Sequence, residues 1–327
     1  MTFVSVIVPC RNEQGTIHLL LHALYQQTYP RQNMEVVIAD GLSTDQTRQR
    51  IAQFVDAHPD LCVFIVDNPK GTIPAGLNLA IESASGEIII RLDAHSVPYP
   101  EYVARCVLSI QEGKGDNVGG VWEILPGGAT WQARAIATAA SNPLAVGDAH
   151  YRYSDQARLV DTVPFGSFRR HWIDKIGSFD EALLTNEDYE FNVRLRKSGG
   201  RVWLDPEIRT IYYARATFKE LVRQYWRYGF WKARMLRRYP ETIRWRQAMP
   251  PLLILSLIVS ILLSFVWAYA SWLFVIELTS YSLVLLAAGF HSAVTKKDFS
   301  LMFGVPLAIA IMHLSWGSAF LWSVISR

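Results

Sequence analysis

Short apolar runs alternate with stretches of helical spacing through the first part of the chain. The apolar runs predict strands, at Val4–Pro9, Glu35–Ala39, Val63–Val66 and Glu87–Leu92. The stretches between them predict helices, at Gln14–Gln26, from the turn after Asp40 to about His58, and at Ile73–Ser83. This alternation is typical of right-handed crossovers and a mainly parallel sheet. We therefore expect an α/β domain.

Polar residues follow several of these predicted strands directly. Arg11, Asn12 and Glu13 follow the first strand, Asp40 the second, and Asp93 the fourth. Ligands of parallel α/β sheets bind at the carboxyl ends of the strands. The pattern therefore predicts that these side chains converge on one site.

The middle of the chain is less regular. We expect strands at Gly119–Glu123 and Val163–Phe168, a helix at Trp131–Ser141, and a flexible loop on the acceptor side over residues 143–160. The segment Thr217–Arg238 has apolar and basic residues on different faces, which favours an amphipathic helix on a membrane surface.

The last part of the chain is strongly apolar. No Asp, Glu, Lys or Arg lies between Arg246 and Glu277, and the two later intervals, up to Lys296 and from Asp298 to Arg327, are also uncharged. A membrane span needs about 20 mostly apolar residues. We expect about three spans, near Pro251–Ala270, Trp272–His291 and Leu301–Val324. Glu277 is costly inside a span unless it is paired or near an interface.

The net charge of +3 conceals an asymmetry along the chain. Residues 1–214 contain 19 Lys and Arg against 25 Asp and Glu, whereas residues 215–246 contain ten basic and two acidic residues. A basic block directly before an apolar span predicts that this side is cytoplasmic and attracts anionic lipid. Its position beside a span favours a membrane over nucleic acid as its partner. With three spans, the C-terminus is expected outside.

Two further observations concern compartment. The start of the chain lacks the basic leader and long apolar core of a signal peptide. Cys10, Cys62 and Cys106 have no metal-ligand spacing, and we interpret them as reduced cytosolic thiols.

Two carboxylate clusters suggest the chemistry. The first is the Arg-Leu-Asp-Ala-His sequence at 91–95, and the second is the Asn-Glu-Asp-Tyr-Glu sequence at 186–190, which opens a helical stretch. Transfer of a sugar from a diphosphate needs a metal ligand for the leaving phosphates and a carboxylate base for the attacking hydroxyl. With the opening Val-Pro-Cys-Arg-Asn-Glu at 8–13, the chain resembles family 2 glycosyltransferases with the GT-A fold. Within that family it resembles the membrane-attached enzymes of bacterial exopolysaccharide assembly, such as succinoglycan-type glucosyltransferases.

The resemblance, over about residues 1–240, implies roles for individual residues. Asp93 and His95 stand where the family usually has Asp-x-Asp, the motif that holds Mg²⁺ or Mn²⁺ on the nucleotide diphosphate. Imidazole suits Mn²⁺ better than Mg²⁺, although His95 has an alternative interpretation as a merely polar neighbour. The implied donor contacts are Pro9, Arg11, Asn12, Glu13, Asp40, Asn78 and Arg91.

Asp188 matches the family's catalytic base, and Glu187 either orients Asp188 or contacts the acceptor. Acidic residues are also common at helix starts simply because they favour the helix dipole. Gln224 and Arg227 resemble the Gln-x-x-Arg-Trp motif of processive members, with Tyr228 in place of Trp, and are further candidate donor contacts. An Arg-rich and aromatic segment equally suits a membrane interface.

The expected organisation is a GT-A domain over 1–215, a basic interfacial segment over 216–248 and transmembrane helices over 249–327. The expected activity is inverting, metal-dependent transfer of one hexose from a nucleotide sugar such as UDP-glucose to a polyprenyl-diphosphate-linked acceptor. This would occur at the cytoplasmic face of a bacterial inner membrane, with other polysaccharide assembly proteins as candidate partners. Two alternatives remain: transfer to polyprenyl phosphate, a glycerolipid or ceramide, and a catalytically weak sugar-nucleotide-binding scaffold.

Overall fold

The computed structural model describes residues 1–326. The first ten regular elements are β1 (Val4–Cys10), α1 (Ile17–Tyr25), β2 (Met34–Asp40), α2 (Thr47–Ala57), β3 (Cys62–Asp67), α3 (Ile73–Ser83), β4 (Ile88–Arg91), β5 (Val97–Pro98), α4 (Tyr102–Gln111) and β6 (Asn117–Leu125). The remaining elements are α5 (Trp131–Ala140), α6 (Pro143–Val146), β7 (Arg158–Leu159), β8 (Ser167–Arg169), α7 (His171–Ile176), α8 (Glu187–Lys197), β9 (Val202–Tyr213), α9 (Phe218–Leu236), α10 (Trp245–Ser264), α11 (Ala268–Lys296) and α12 (Leu301–Ile325). Short 3₁₀ turns cover Arg31–Asn33, His150–Arg152 and Pro240–Thr242.

The predicted parallel sheet is confirmed by the pairing of the first strands. Within the described residues the sheet has the order β3-β2-β1-β4-β8-β6-β9-β5, and β7 pairs with β9. The strands β3, β2, β1 and β4 are parallel, whereas β8 joins β4 in antiparallel orientation. All seven residues of β2 are buried, as expected for a strand covered on both faces. The carboxyl ends of β1, β2 and β4 therefore meet at one edge.

Most predicted elements differ from the observed ones by a few residues at their ends, and two of them differ for identifiable reasons. The first helix begins at Ile17 rather than Gln14, because residues 14–16 form a turn in which the Thr16 N–H donates to the Glu13 carbonyl. The expected strand at 163–168 is wrong over 163–166, and β8 begins only at Ser167. Pro164 has no N–H to donate and Phe165 has a positive φ of 49°, so these residues cannot continue a ladder.

The expected flexible loop over 143–160 instead contains α6, a 3₁₀ turn and β7. Asn142 caps α6 by accepting a hydrogen bond from the Leu144 N–H at 2.9 Å, and Pro143 occupies the first turn. Asp148 forms ion pairs with Arg244 and Arg246. Burial would raise the pKa of Asp148, but the hydrogen bonds from these two arginines lower it to about 2.

The chain divides into two compact units, each made of two segments. The first comprises 1–123 and 154–212, and the second comprises 124–153 and 213–327. This division differs from a single boundary near 215, because α5 packs within the second unit against α12. A Cβ on Gly304 of α12 would lie 2.7 Å from the Ala135 Cβ, so the two helices are in close contact.

Among the described residues, α10, α11 and α12 are long and apolar enough to cross a membrane by length and composition. Glu277 in α11 accepts a hydrogen bond from the Ser256 hydroxyl of α10 at 3.0 Å. The carboxylate that interrupts the apolar sequence therefore has a partner on the neighbouring helix.

Candidate functional site

The loops after β1 and β2 are joined by hydrogen bonds at the carboxyl edge of the sheet. The Asn12 N–H donates to the Ser43 hydroxyl, and the Thr44 N–H donates to Asn12 Oδ1, each at 2.8 Å. Asn12 has a φ of 54°, in the left-handed region that Asn tolerates better than most residues. The Glu13 N–H donates to the Thr47 hydroxyl at 2.8 Å. The loop that carries the predicted donor contacts Asn12 and Glu13 is thus bonded to the loop after β2.

Asp40 is fully buried at the end of β2. Its carboxylate accepts hydrogen bonds from the Ser43 N–H at 3.0 Å, the Ser43 hydroxyl at 2.5 Å and Arg48 Nε at 2.5 Å. Arg48 also pairs with Asp67 at the end of β3. Through these contacts Asp40 holds the loop after β2 against the start of α2. Its direct contact with a nucleoside stays a prediction.

Arg11 is exposed and lies over two glycines. A Cβ on Gly71 would be 2.7 Å from Arg11 Nη1, and a Cβ on Gly41 would be 3.1 Å from Arg11 Cδ. Gly71 also has a positive φ of 61°. Because Gly41 and Gly71 have no side chains, the Arg11 side chain can pack directly on their backbone. Pro9, another predicted donor contact, is half-buried inside β1.

The predicted metal residues follow β4. Asp93 keeps 22% of its side chain exposed, and His95 Nδ1 lies 3.3 Å from Glu13 Oε1. Glu13 of the first loop therefore faces the segment that carries Asp93.

Arg91 connects the two carboxylate clusters. Its guanidinium is buried, with Nη2 at 2.9 Å from Glu187 Oε1 and 3.3 Å from Asp93 Oδ1. Burial by itself would lower the pKa of Arg91, but the carboxylates of Asp93, Glu187 and Asp188 outweigh it and raise the pKa. Arg91 Nη1 is buried without a hydrogen-bond partner. The structure thus places this predicted donor contact between Asp93 and Glu187.

Glu187 and Asp188 form the first turn of α8. Asn186 precedes them in a left-handed conformation, with φ 69°. Burial raises the pKa of Glu187 although Arg91 acts to lower it, and the charges of Asp188 and Asp93 add to the rise. Asp188 is less buried, and its Oδ1 accepts a hydrogen bond from the Tyr189 N–H at 2.7 Å. Asp188 is therefore the more accessible of the two carboxylates.

A small cavity beside Asp188 contains two asparagines that the sequence analysis did not identify. Asp188, Arg91, Asn117 and Asn192 supply polar groups to its wall. Asn117 Nδ2 donates to Asn192 Oδ1 at 2.6 Å, and Asn192 Nδ2 donates to the Thr162 hydroxyl at 3.0 Å. Asn192 follows Asp188 by four positions on α8, a spacing that puts both side chains on one helix face. This spacing is the sequence signal from which Asn192 could have been predicted as a site residue.

Asn78 holds the segment before α8. Its Oδ1 accepts from the Phe179 N–H at 2.9 Å, and its Nδ2 donates to the Phe179 carbonyl at 3.0 Å and to Glu181 Oε1 at 3.2 Å. We assign Asn78 a positioning role on these contacts, and its predicted contact with a donor stays a prediction.

Replacing Asn78 with Ala is expected to lower the free energy of unfolding by about 1–3 kcal/mol, because the buried Phe179 amide loses its partners. Thermal and chemical unfolding would measure the change, with Gln53→Ala on the exposed side of α2 as the control. Unchanged stability combined with weaker nucleotide binding would instead support a donor contact.

Gln224 and Arg227 belong to the second unit, on α9. Gln224 Nε2 donates to the Tyr228 hydroxyl at 2.9 Å, and Arg227 is exposed. Their predicted contact with a donor stays a prediction.

The side chains around Asp93 suit a hard divalent cation whose remaining ligands come from substrate phosphates and water. Within residues 1–326 there is no group of three or more His, Cys, Asp and Glu side chains able to hold a metal. Asp93 offers a partly exposed carboxylate, and His95 offers an imidazole beside it. Mg²⁺ commonly binds one or two carboxylates together with phosphates and water. Two protein ligands therefore fit an ion shared with a diphosphate.

Comparison with known proteins places the chain among sugar-transferring enzymes. The model of glycosyl transferase family 2 matches residues 5–177. The chain is 30% identical over 319 residues to the succinoglycan biosynthesis protein ExoA of Rhizobium meliloti, covering 96% of this chain and 93% of that protein. It is also 30% identical to a Methanococcus voltae dolichyl N-acetyl-alpha-D-glucosaminyl phosphate 3-beta-D-2,3-diacetamido-2,3-dideoxy-beta-D-glucuronosyltransferase, over 83% of this chain and 85% of that one.

A solved structure shares the fold. The mannosyltransferase PcManGT of Pyrobaculum calidifontis, in complex with GDP-Man and Mn²⁺, superposes with a TM-score of 0.60 at 19% identity, over 96% of this chain and 87% of that one. The expected GT-A fold followed by three apolar helices is thereby confirmed.

Proposed function

The chain belongs to glycosyl transferase family 2, and we propose that it is an inverting hexosyltransferase that uses a nucleotide diphosphate sugar. The proposed acceptor is a saccharide linked to polyprenyl diphosphate, in polysaccharide biosynthesis. The proposed location is a bacterial inner membrane. The first unit, 1–123 and 154–212, which carries Asp93 and Asp188 and is called the catalytic unit below, is proposed to lie on the cytoplasmic side. UDP-glucose is the first donor to test.

The observation that carries this proposal is the Arg91 contact between Asp93 and Glu187. It joins the segment suited to a metal–diphosphate with the helix that bears the candidate base. A glycosyl transfer needs both functions within one substrate length, because the leaving phosphate and the attacking hydroxyl lie on opposite sides of the anomeric carbon.

The proposed roles follow from the contacts. Asp188 takes the proton of the acceptor hydroxyl, since it is the accessible carboxylate of its pair. Asp93 and His95 hold the divalent ion, which when bound neutralises charge on the leaving diphosphate. Arg91 fixes Glu187 and, through it, the start of α8. Arg11 lies on the exposed loop edge, where its charge can meet phosphate oxygens.

Two features support a lipid-linked acceptor. Three apolar helices follow the catalytic unit in the chain, and the basic residues of 215–246 precede them directly. One relative is named for succinoglycan biosynthesis and another for a dolichyl-linked acceptor. An enzyme with such substrates works beside a membrane.

The direct test is release of nucleoside diphosphate by membranes that contain the full chain. A panel of sugar nucleotides would be supplied with radiolabelled sugar and a bacterial lipid extract, followed by mild acid hydrolysis of the lipid product. We expect release with one donor and label in an oligosaccharide freed from the lipid by mild acid. A labelled monosaccharide freed by the same treatment would indicate polyprenyl phosphate as the acceptor. Label on acid-stable glycerolipid or ceramide would redirect the acceptor assignment. Donor binding without release, with every lipid extract, would favour the scaffold function instead.

Metal removal gives a separate prediction. EDTA is expected to abolish transfer and added Mn²⁺ to restore it. Replacing His95 with Asp recreates the usual family motif and is expected to raise the Mg²⁺ rate relative to the Mn²⁺ rate, because carboxylate suits Mg²⁺ better than imidazole does. The two rates would be compared in metal-stripped membranes, with His171→Asp on α7 as the control. An unchanged rate ratio in the His95 variant would exclude His95 as a ligand.

A further inference from the structure

The apolar helix α12 has the charged helix α9 beside it along its length. A Cβ on Gly229 in the middle of α9 would lie 2.1 Å from the Trp316 carbonyl of α12, so the two backbones nearly touch. Arg237, directly after α9, donates to the carbonyls of Val324 and Ser326 at 3.4 and 3.1 Å, and also to that of Ser323. The contact between α9 and α12 is the most extensive between any two elements of this unit.

The starts of the two helices also meet at one place. Trp131 of α5 contacts Phe218 at the start of α9, with ring centroids 5.6 Å apart. The same Trp131 lies 3.5 Å from a Cβ built on Gly304, in the first turn of α12. The helices α9 and α12 therefore run side by side in the same direction.

The helix α9 cannot accompany α12 into hydrocarbon. Six of its 19 residues are charged, namely Lys219, Glu220, Arg223, Arg227, Lys232 and Arg234. Charged side chains in the centre of a bilayer are strongly disfavoured. If α12 crossed the membrane, it would either take these charges with it or lose its main packing partner.

Both ends of α12 contact segments that come before α10 in the chain, and its later part contacts the first turns of α10. Before its start, Asp298 forms an ion pair with Arg134 of α5 at 2.7 Å. Beyond its middle, Gly317 packs on the first turns of α10, with a built Cβ 2.6 Å from the Pro250 carbonyl. At its end, the partner is Arg237, which precedes α10 in the chain. A crossing helix would instead end near the loop that joins α10 to α11.

The outward face of α12 suits the surface layer of a membrane. Its large exposed side chains are all apolar, namely Phe303, Leu307, Leu314, Trp322, Val324 and Ile325. The opposite face is buried against its neighbours in this unit. Amphipathic helices bind anionic membrane surfaces through an apolar face beside basic side chains. Here α12 supplies the apolar face, and α9 supplies the basic side chains.

We propose that α10 and α11 cross the membrane as a hairpin, while α12 lies in the membrane surface beside α9. The C-terminus is then on the side where α10 enters, not on the far side as three spans would require. The helix α11, with 29 residues, exceeds the roughly 20 needed for one span. The last third of α11 packs on the start of α12, where a Cβ on Gly289 would lie 2.3 Å from the Met302 carbonyl. This topology does not depend on the proposed activity.

Cysteine labelling tests the topology in the full chain. Cys62 is exposed, whereas Cys10 and Cys106 are buried, so the wild type reports the side of the catalytic unit. Tyr269→Cys, at the start of α11, and Ser326→Cys would each be made together with Cys62→Ser. A membrane-impermeant maleimide would be applied to intact spheroplasts and to inverted vesicles.

We expect Ser326→Cys to react in the same preparation as Cys62, and Tyr269→Cys only in the other preparation. Reaction of Ser326→Cys together with Tyr269→Cys would overturn the surface position of α12. Reaction of Tyr269→Cys together with Cys62 would overturn the hairpin. If Ser326→Cys fails to accumulate, reporters fused after residue 327 answer the same question. Fluorescent protein that folds there supports the proposal, and active alkaline phosphatase contradicts it.

Discussion

Replacing Asp188 with Asn is expected to reduce the turnover number of sugar transfer by about 10²–10⁴-fold, the usual contribution of a general base. The amide preserves the size of the side chain and can still accept the hydrogen bond from the Tyr189 N–H. It cannot take a proton from the acceptor hydroxyl. The KM for the sugar nucleotide is expected to change little, because the donor contacts that we propose lie in the loops after β1, β2 and β4 and not on α8. Initial rates at varied donor concentration would separate the two parameters.

The matched control is Asp174→Asn, an exposed carboxylate on α7 of the same unit. It is expected to retain the rate of the wild type. If the Asp188 variant stayed within a few-fold of the wild type, the base would be another group, and Glu187→Gln would be tested next. If both parameters collapsed together with the unfolding temperature, the role of Asp188 would be structural.

Replacing Arg91 with Met is expected to lower the free energy of unfolding by about 3–5 kcal/mol, the usual result of removing one partner of a buried ion pair. The side chain of Glu187 would stay buried with its opposing cation gone. We also expect a large loss of transfer rate, because the first turn of α8 loses the contact that holds it to the Asp93 segment. Unfolding in detergent solution and initial rates measure the two effects.

The double variant Arg91→Met with Glu187→Gln distinguishes the charge from the packing. Removing both charges is expected to recover part of the stability lost in Arg91→Met, but not the transfer rate. The single variant also has a predictable pH dependence. Burial raises the pKa of Glu187 above its ordinary 4.5, and losing the Arg91 charge is expected to raise it further, so deprotonation of Glu187 costs more in the folded variant than in its unfolded chain. The stability deficit of Arg91→Met should therefore be smallest below pH 4.5 and grow as the pH rises. A deficit independent of pH would show that Glu187 is not its cause.

Much of the fold follows from local sequence signals. The apolar runs that became β1, β2 and β4 are nearly continuous, as is typical of strands buried on both faces, and the polar exceptions Ser5 and Glu35 bond to each other. The polar residues after them lie at one sheet edge because the strands are parallel. The carboxylates of α8 were recognisable as a helix start through their acidic first turn.

The remaining features depend on contacts between distant parts of the chain. No local sequence pattern predicts the ion pair between Arg91 and Glu187, or the hydrogen bond between Asn117 and Asn192. The order within 143–160 arises from Asp148 and its pairing with Arg244 and Arg246 far along the chain. For Asp40, the position at the carboxyl end of a strand was predicted. The three hydrogen bonds that its carboxylate accepts were not.

The packing of α5 on α12 affects how the catalytic part can be produced without its membrane helices. The buried face of α5 is almost entirely alanine, with Ile136 among them. Lys296 and Asp298 bind Thr138 and Arg134 of the same helix. In a chain that ends before Trp245, α5 would form without α12, the helix that covers its buried face. Expression of residues 1–244 alone is therefore expected to give a protein that aggregates through the exposed apolar face of α5. Purification of the full chain in detergent is the better route to an active sample.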